Sequence, residues 1–166
     1  MNPFQTEITK DSKNKKLHVT RMFKAPVDVV WRAWTDADLL GKWWAPRPYC
    51  AVTKSMDFRE GGRWLYYMLS PEGEKHWCLL DYSKISFQEY YMGKDAFCDD
   101  KGNANPDHPS MRWKNTFQDE GKNTRVRVEI SFDREEDMDK IIDMGFKEGF
   151  TAAHGNLDEL LKQLSS

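Results

Sequence analysis

The sequence is short of cysteine, short of net charge and without long apolar runs, and each shortage removes a class of protein. Cys50, Cys78 and Cys98 are the three cysteines among 166 residues. Their number is odd and no CxxC pair occurs, so free thiols in a reducing compartment are expected rather than a disulfide framework. Positive and negative side chains nearly cancel, 25 Lys and Arg against 27 Asp and Glu, for a formal charge of −2. Phosphate-driven binding needs a basic surface, and the only basic run, residues 10–16, reads as a solvated arm before the first strand. No stretch approaches the ~20 apolar residues of a membrane span, and no apolar signal core opens the chain. These absences predict a cytoplasmic protein with no nucleic-acid partner and no membrane span. Gly-rich phosphate loops, a nucleophile elbow and HExxH are also missing, and no His or Cys spacing forms a ligand set. Neither a metal nor a cofactor nor covalent catalysis is expected.

What the chain has in abundance is aromatic: seven Trp, six Tyr and nine Phe, 13% of all residues. Large rings close cores and also line ligand pockets, so the excess fits either use.

One domain is expected over residues 15–166, with residues 1–14 as a flexible N-terminal arm. Residues 17–24 read as a strand with Leu17, Val19 and Phe23 on one face. Pro26 suits a first helical turn, and Val27, Val30, Trp31 and Trp34 then recur at helical spacing. Thr35 and Asp38 resemble a capping box for a short helix over 36–43, ended by Trp43-Trp44-Ala45-Pro46. Strands follow at 50–58, 63–69, 75–84 and 86–92, with turns at Gly61-Gly62 and Pro71-Glu72-Gly73. Residues 93–110 are polar and rich in Gly, Asn, Asp and Pro, a loop long enough to serve as a lid. A last hairpin joins 111–117 to 124–132, where Val126, Val128, Ile130 and Phe132 alternate with Arg125, Arg127 and Glu129. From Glu135 the period turns helical, through Met138, Ile141, Phe146, Phe150, Ala153, Leu157 and Leu160. Gly145 and Gly149 inside that pattern predict a kink, a close approach or empty space.

Several blocks resemble a known family. Ala25-Pro26, Val30-Trp31-Arg32-Ala33-Trp34-Thr35-Asp36 and Lys42-Trp43-Trp44-Ala45-Pro46 resemble the opening signature of the SRPBCC/START-like superfamily. The match is closest to the branch named for the activator of the heat-shock protein 90 ATPase, homologue-like. Asp57-Phe58-Arg59-Glu60-Gly61-Gly62-Arg63-Trp64 is similar to its second block. Gly145-Phe146-Lys147-Glu148-Gly149-Phe150 and Leu157-Asp158-Glu159-Leu160-Leu161 are similar to its closing helix. The resemblance implies an α+β helix-grip fold: a curved antiparallel sheet round a long C-terminal helix, with two short helices after the first strand and a cavity between sheet and helix. It leads one to expect leucine where His154 stands. The superfamily includes lipid carriers, hormone receptors and polyketide cyclases, so the fold alone does not settle a function.

On this frame the candidate cavity lining is Trp31, Trp34, Trp43, Trp64, Tyr66, Trp113, Phe117, Phe150 and His154, with core packing as the competing role of each. His154 reads as a satisfied structural histidine or a ligand contact. Arg21 shares a face with Val19 and Phe23, and there it needs a carboxylate partner. Trp43 and Trp44, if helical, cannot both face inward. Trp64, Tyr66 and Met68 share one face of their strand, and Leu65, Tyr67 and Leu69 the other, so that strand is covered on both sides or meets a protein. His76 and Cys78 alternate along one strand but make no metal site. The expected function is binding of a small hydrophobic or amphipathic molecule, with no catalytic residue assigned. A cyclase- or hydrolase-type enzyme and a protein-interaction or chaperone-regulating module are the alternatives. A sheet edge or the doubly apolar strand offers a homodimer contact.

Overall fold

The computed structural model describes residues 2–164; Met1, Ser165 and Ser166, at the outer ends of the expected arm and domain, lie outside the described residues. Eight strands form one antiparallel sheet: β1 (Glu7–Asp11), β2 (Lys16–Phe23), β3 (Cys50–Met56), β4 (Arg63–Leu69), β5 (Lys75–Ser86), β6 (Tyr90–Phe97), β7 (Met111–Glu120) and β8 (Asn123–Ser131). Their order across the sheet is β1-β2-β8-β7-β6-β5-β4-β3. Helices α1 (Val27–Thr35) and α2 (Ala37–Leu40) connect β2 to β3, and α3 (Glu135–Asp143) and α4 (Phe146–Leu164) close the chain. This is the helix-grip arrangement, with α4 held in the hollow of the bent sheet.

Period-two patterning explains which face is covered. In β8, Val126, Val128 and Ile130 are buried, while Arg127 pairs outward with Gln118 at 2.8 Å. The inner face continues through Leu17, Val19 and Phe23 of β2 and Trp113 and Phe117 of β7. Opposite it, α4 buries Phe150, Ala153, Leu157, Leu160 and Leu161 along one stripe.

Four local outcomes differ from the sequence expectation. Part of the expected flexible arm is strand β1, paired with β2 from Glu7↔Thr20 to Asp11↔Lys16. The cap of α2 is Asp36, whose carboxylate accepts from the backbone N–H groups of Asp38 and Leu39; Thr35 instead turns its hydroxyl back to Trp31 O at 2.8 Å. Because α2 stops at Leu40, Trp43 and Trp44 are not on a helix, and both rings reach the interior, 5.3 Å apart. Finally, β6 runs on to Phe97, so the connecting loop is shorter than 93–110. Gly93 fits there because a Cβ would meet Asp81 O at 2.8 Å.

The first part of that loop turns to the outer face of the sheet, while its second part meets α3, where Lys140 donates to Asp107 O at 3.1 Å. Cys98 and Ala104 form a bridge, and Arg63 donates to Gly102 O at 3.1 Å. Leu65 and Leu79, which point outward, are thereby buried. The outer face of β4 is covered at Leu65 and only half-buried at Tyr67 and Leu69, and β1 and β3 are the sheet's edges.

The kink expected near Gly145 is a full break. Gly145 adopts φ +93°, a conformation glycine takes without Cβ penalty, and its N–H returns to Ile142 O at 3.0 Å. The chain then restarts as α4 in a new direction.

Candidate functional site

A cavity of about 250 Å³ opens beside that helix break, between the inner face of β4–β7 and the α3–α4 junction. Its apolar wall includes Trp44, Met68, Phe97, Trp113, Phe146 and Phe150. Each is placed by a simple rule. Tyr66 and Met68 alternate on β4, Asp95 and Phe97 on β6, and Met111 and Trp113 on β7, all toward α4. Phe146 and Phe150 lie one turn apart on α4, their rings stacked at 5.2 Å. Gly145 and Gly149 also border the space, so the two glycines leave unfilled what side chains would occupy. Met144, 54% exposed, stands at the mouth.

Three polar groups reach this wall. Tyr66 hydroxyl accepts from Trp44 Nε1 at 3.0 Å, and burial pushes its pKa well up. Cys78 is pushed up to about 12 by burial, with the nearby Asp95 charge acting the same way. Both therefore stay protonated at neutral pH. Asp95 differs: burial raises its carboxyl to about 7, although hydrogen bonds from Trp113 and the Met111 backbone oppose the rise. Its Oδ2 accepts from Trp113 Nε1 at 2.7 Å and its Oδ1 from Met111 N at 2.9 Å. A carboxyl that titrates near neutrality in an otherwise apolar wall is the site's main polar feature. Among the described residues no cluster of His, Cys, Asp and Glu could hold a metal ion.

Of the nine residues expected from the sequence to line the cavity, Tyr66, Trp113 and Phe150 stand on its wall. The other six pack around it. Trp31 sits under α1 among Phe58, Phe87, Tyr91 and Phe117, with ring centroids 5.0–6.0 Å away. Trp34 packs on Trp43 at 4.8 Å, and Trp43 donates its Nε1–H to Ala33 O at 2.9 Å. Trp64 stacks on Tyr66 at 3.8 Å, behind the wall. His154, 1% exposed, meets Phe150 at 4.3 Å and Phe23 at 5.4 Å. Its Nδ1 shares a hydrogen bond with Thr6 Oγ1 at 2.8 Å, while Nε2 has no partner among the described residues. Burial and the Arg21 charge lower its pKa to about 3, so it is neutral.

Arg21 does find the carboxylate it requires, Asp158 on α4, and also donates to Phe4 O at 2.8 Å. The residues missed from sequence are Trp44, Asp95, Phe97 and Phe146. Continuing the alternation of Tyr91 past Gly93 would have brought Asp95 and Phe97 inward.

Comparison with known proteins places this geometry. Residues 24–162 match the family profile described as Activator of Hsp90 ATPase homolog 1-like protein. The crystal structure of protein Ms6760 from Mycobacterium smegmatis is 28% identical, covering 96% of this chain and 98% of that one at TM-score 0.87. A solution structure from Arthrobacter aurescens is 27% identical, covering 95% and 91% at TM-score 0.89. Protein NE0264 from Nitrosomonas europaea is 27% identical, covering 92% and 97% at TM-score 0.81. No curated protein matches the chain significantly.

Proposed function

The chain belongs to the activator of Hsp90 ATPase homolog 1-like family, and on that premise we propose that it binds a small, largely apolar molecule between the sheet and α4. The observation that carries this reading is the helix break at Met144 and Gly145, which leaves about 250 Å³ lined mainly by apolar side chains, aromatic rings among them. Tyr66, Cys78 and Asp95 supply the few polar points that orient a ligand. Scaling from benzene in a ~150 Å³ cavity, the space suits about ten non-hydrogen atoms. Apolar burial supplies the affinity, at about 25 cal/mol per Å² before the costs of association.

Neopentylbenzene, titrated against intrinsic tryptophan fluorescence, tests the reading. Saturable binding is expected, weakened about tenfold or more in Gly149→Leu, whose side chain would occupy part of the space. No binding, or equal binding by a folded Gly149→Leu, contradicts it.

One observation favours a second reading, an enzyme of the cyclase or hydrolase sort using the same cavity. Asp95 titrates near neutrality, as a general acid or base must, beside the protonated Tyr66 hydroxyl. Turnover lost on Asp95→Asn, with apolar binding retained, would select this reading over simple binding.

A further inference from the structure

Asp95 is a half-buried carboxylate with no counter-charge among the described residues. Both its oxygens accept one hydrogen bond each, from Trp113 Nε1 and Met111 N, which leaves acceptor capacity on each. Among the described residues no Lys, Arg or His forms an ion pair with it; the buried Arg21 is committed to Asp158 instead. The titratable groups beside it are Tyr66 on β4 and Cys78 on β5, neither of them cationic. The helices bring Ile141, Phe146 and Phe150 to the cavity, and these carry no charge at all.

The rings around this carboxylate are closely set. Trp44 and Trp113 have centroids 5.9 Å apart, Trp44 and Phe150 5.9 Å, Trp113 and Phe150 5.8 Å, and Phe146 and Phe150 5.2 Å. Aromatic faces carry a negative quadrupole that attracts cations, most strongly where water is excluded. A neutral apolar ligand would leave Asp95 unpaired, and an anionic one would meet repulsion from both carboxylate and rings. An organic ammonium answers both features at once.

We propose that the cavity selects small organic cations, an alkyl- or arylammonium head seated against Asp95 with its hydrocarbon part toward Phe146 and Phe150. This rests on the cavity-binding reading above and adds the charge of the ligand to it.

Benzyltrimethylammonium and its neutral isostere neopentylbenzene separate the two claims, because they share shape and differ in charge, and neither titrates. Calorimetric or fluorescence titration of the full chain is expected to show the cation binding about tenfold or more tighter than the isostere at alkaline pH. That preference should shrink as pH falls through about 7, where Asp95 takes up a proton, and vanish in Asp95→Asn. If that variant does not fold, the pH series on the natural chain decides alone. Equal binding of both probes, or a preference that does not change with pH, overturns the cation selectivity while leaving the cavity reading intact. Failure of both probes to bind overturns both.

Discussion

Trp113 donates its indole N–H to Asp95 across 2.7 Å, tying a ring of the cavity wall to the only carboxylate in that wall. The bond favours the charged form of a group that burial pushes the other way. Replacing Trp113 by Phe removes the donor and keeps an aromatic wall. The Asp95 carboxyl should then titrate at higher pH than in the natural chain, measured by carbon-13 NMR of the side-chain carboxyl. An unchanged or lower midpoint would show that the hydrogen bond does not act on the charge.

Asp95 and His154 give stability opposite dependences on pH. The folded-state pKa of Asp95, about 7, lies above its ordinary 3.8, so its contribution is present at low pH and declines as pH rises from about 4 through about 7. That of His154, about 3, lies below its ordinary 6.5, so its contribution is present above pH 6.5 and declines as pH falls toward 3. Between about pH 4 and 6.5 the two opposite slopes nearly cancel, so stability should be close to level there and fall off above and below that range. Urea titrations across pH measure this. Asp95→Asn should uncover a decline as pH falls from 6.5 toward 4, and His154→Leu a decline as pH rises from about 4 to 7; if neither slope emerges, other groups control the profile.

Arg21 and Asp158 are unequal partners. The Arg21 side chain is 10% exposed and that of Asp158 38%. Removing the acid strands a nearly buried guanidinium, which keeps only Phe4 O, whereas removing the arginine returns a carboxylate to water. Asp158→Asn should cost roughly 1–3 kcal/mol, and Arg21→Met less than that, in chemical denaturation. The reverse order would mean that Arg21 contributes by packing over Phe23, 4.9 Å from its ring.

The two glycines at the head of α4 should respond oppositely to alanine. At Gly149 a Cβ meets only Pro46 Cγ at an ordinary 3.7 Å, so Ala should stabilise by up to about 1 kcal/mol. At Gly145 the backbone sits at φ +93°, and Ala should destabilise by roughly 1–2 kcal/mol. Denaturation midpoints at constant slope distinguish the two signs.

Where one period held over many residues, the sequence could be read directly. Val126 to Ile130 predicted β8 and its buried face, and Met138 to Leu160 the helical stripe, though not that Gly145 divides it into two helices. Arg21 announced its need for an acid but not that Asp158, 137 residues away, would supply it. The site was less legible because its placement depends on where elements stop. Asp36 took the cap of α2, and the helix stopped at Leu40, early enough for Trp44 to turn inward. Gly93 looked like the start of a loop because glycine usually weakens a strand, yet the strand continues and carries Asp95 to the wall. The alternation of Tyr91 carried past Gly93 turns Asp95 inward, and the register of β6 against β7 fixes it there, with Asp95 opposite Met111.

The most direct test of the account is a crystal structure of the chain grown with neopentylbenzene. The probe should lie against Trp113 and Phe150 under the α3–α4 break, with the helix still broken at Gly145. A cavity closed by the Phe146 and Phe150 rings, with the probe absent or seated on the outer face of the sheet, would contradict it.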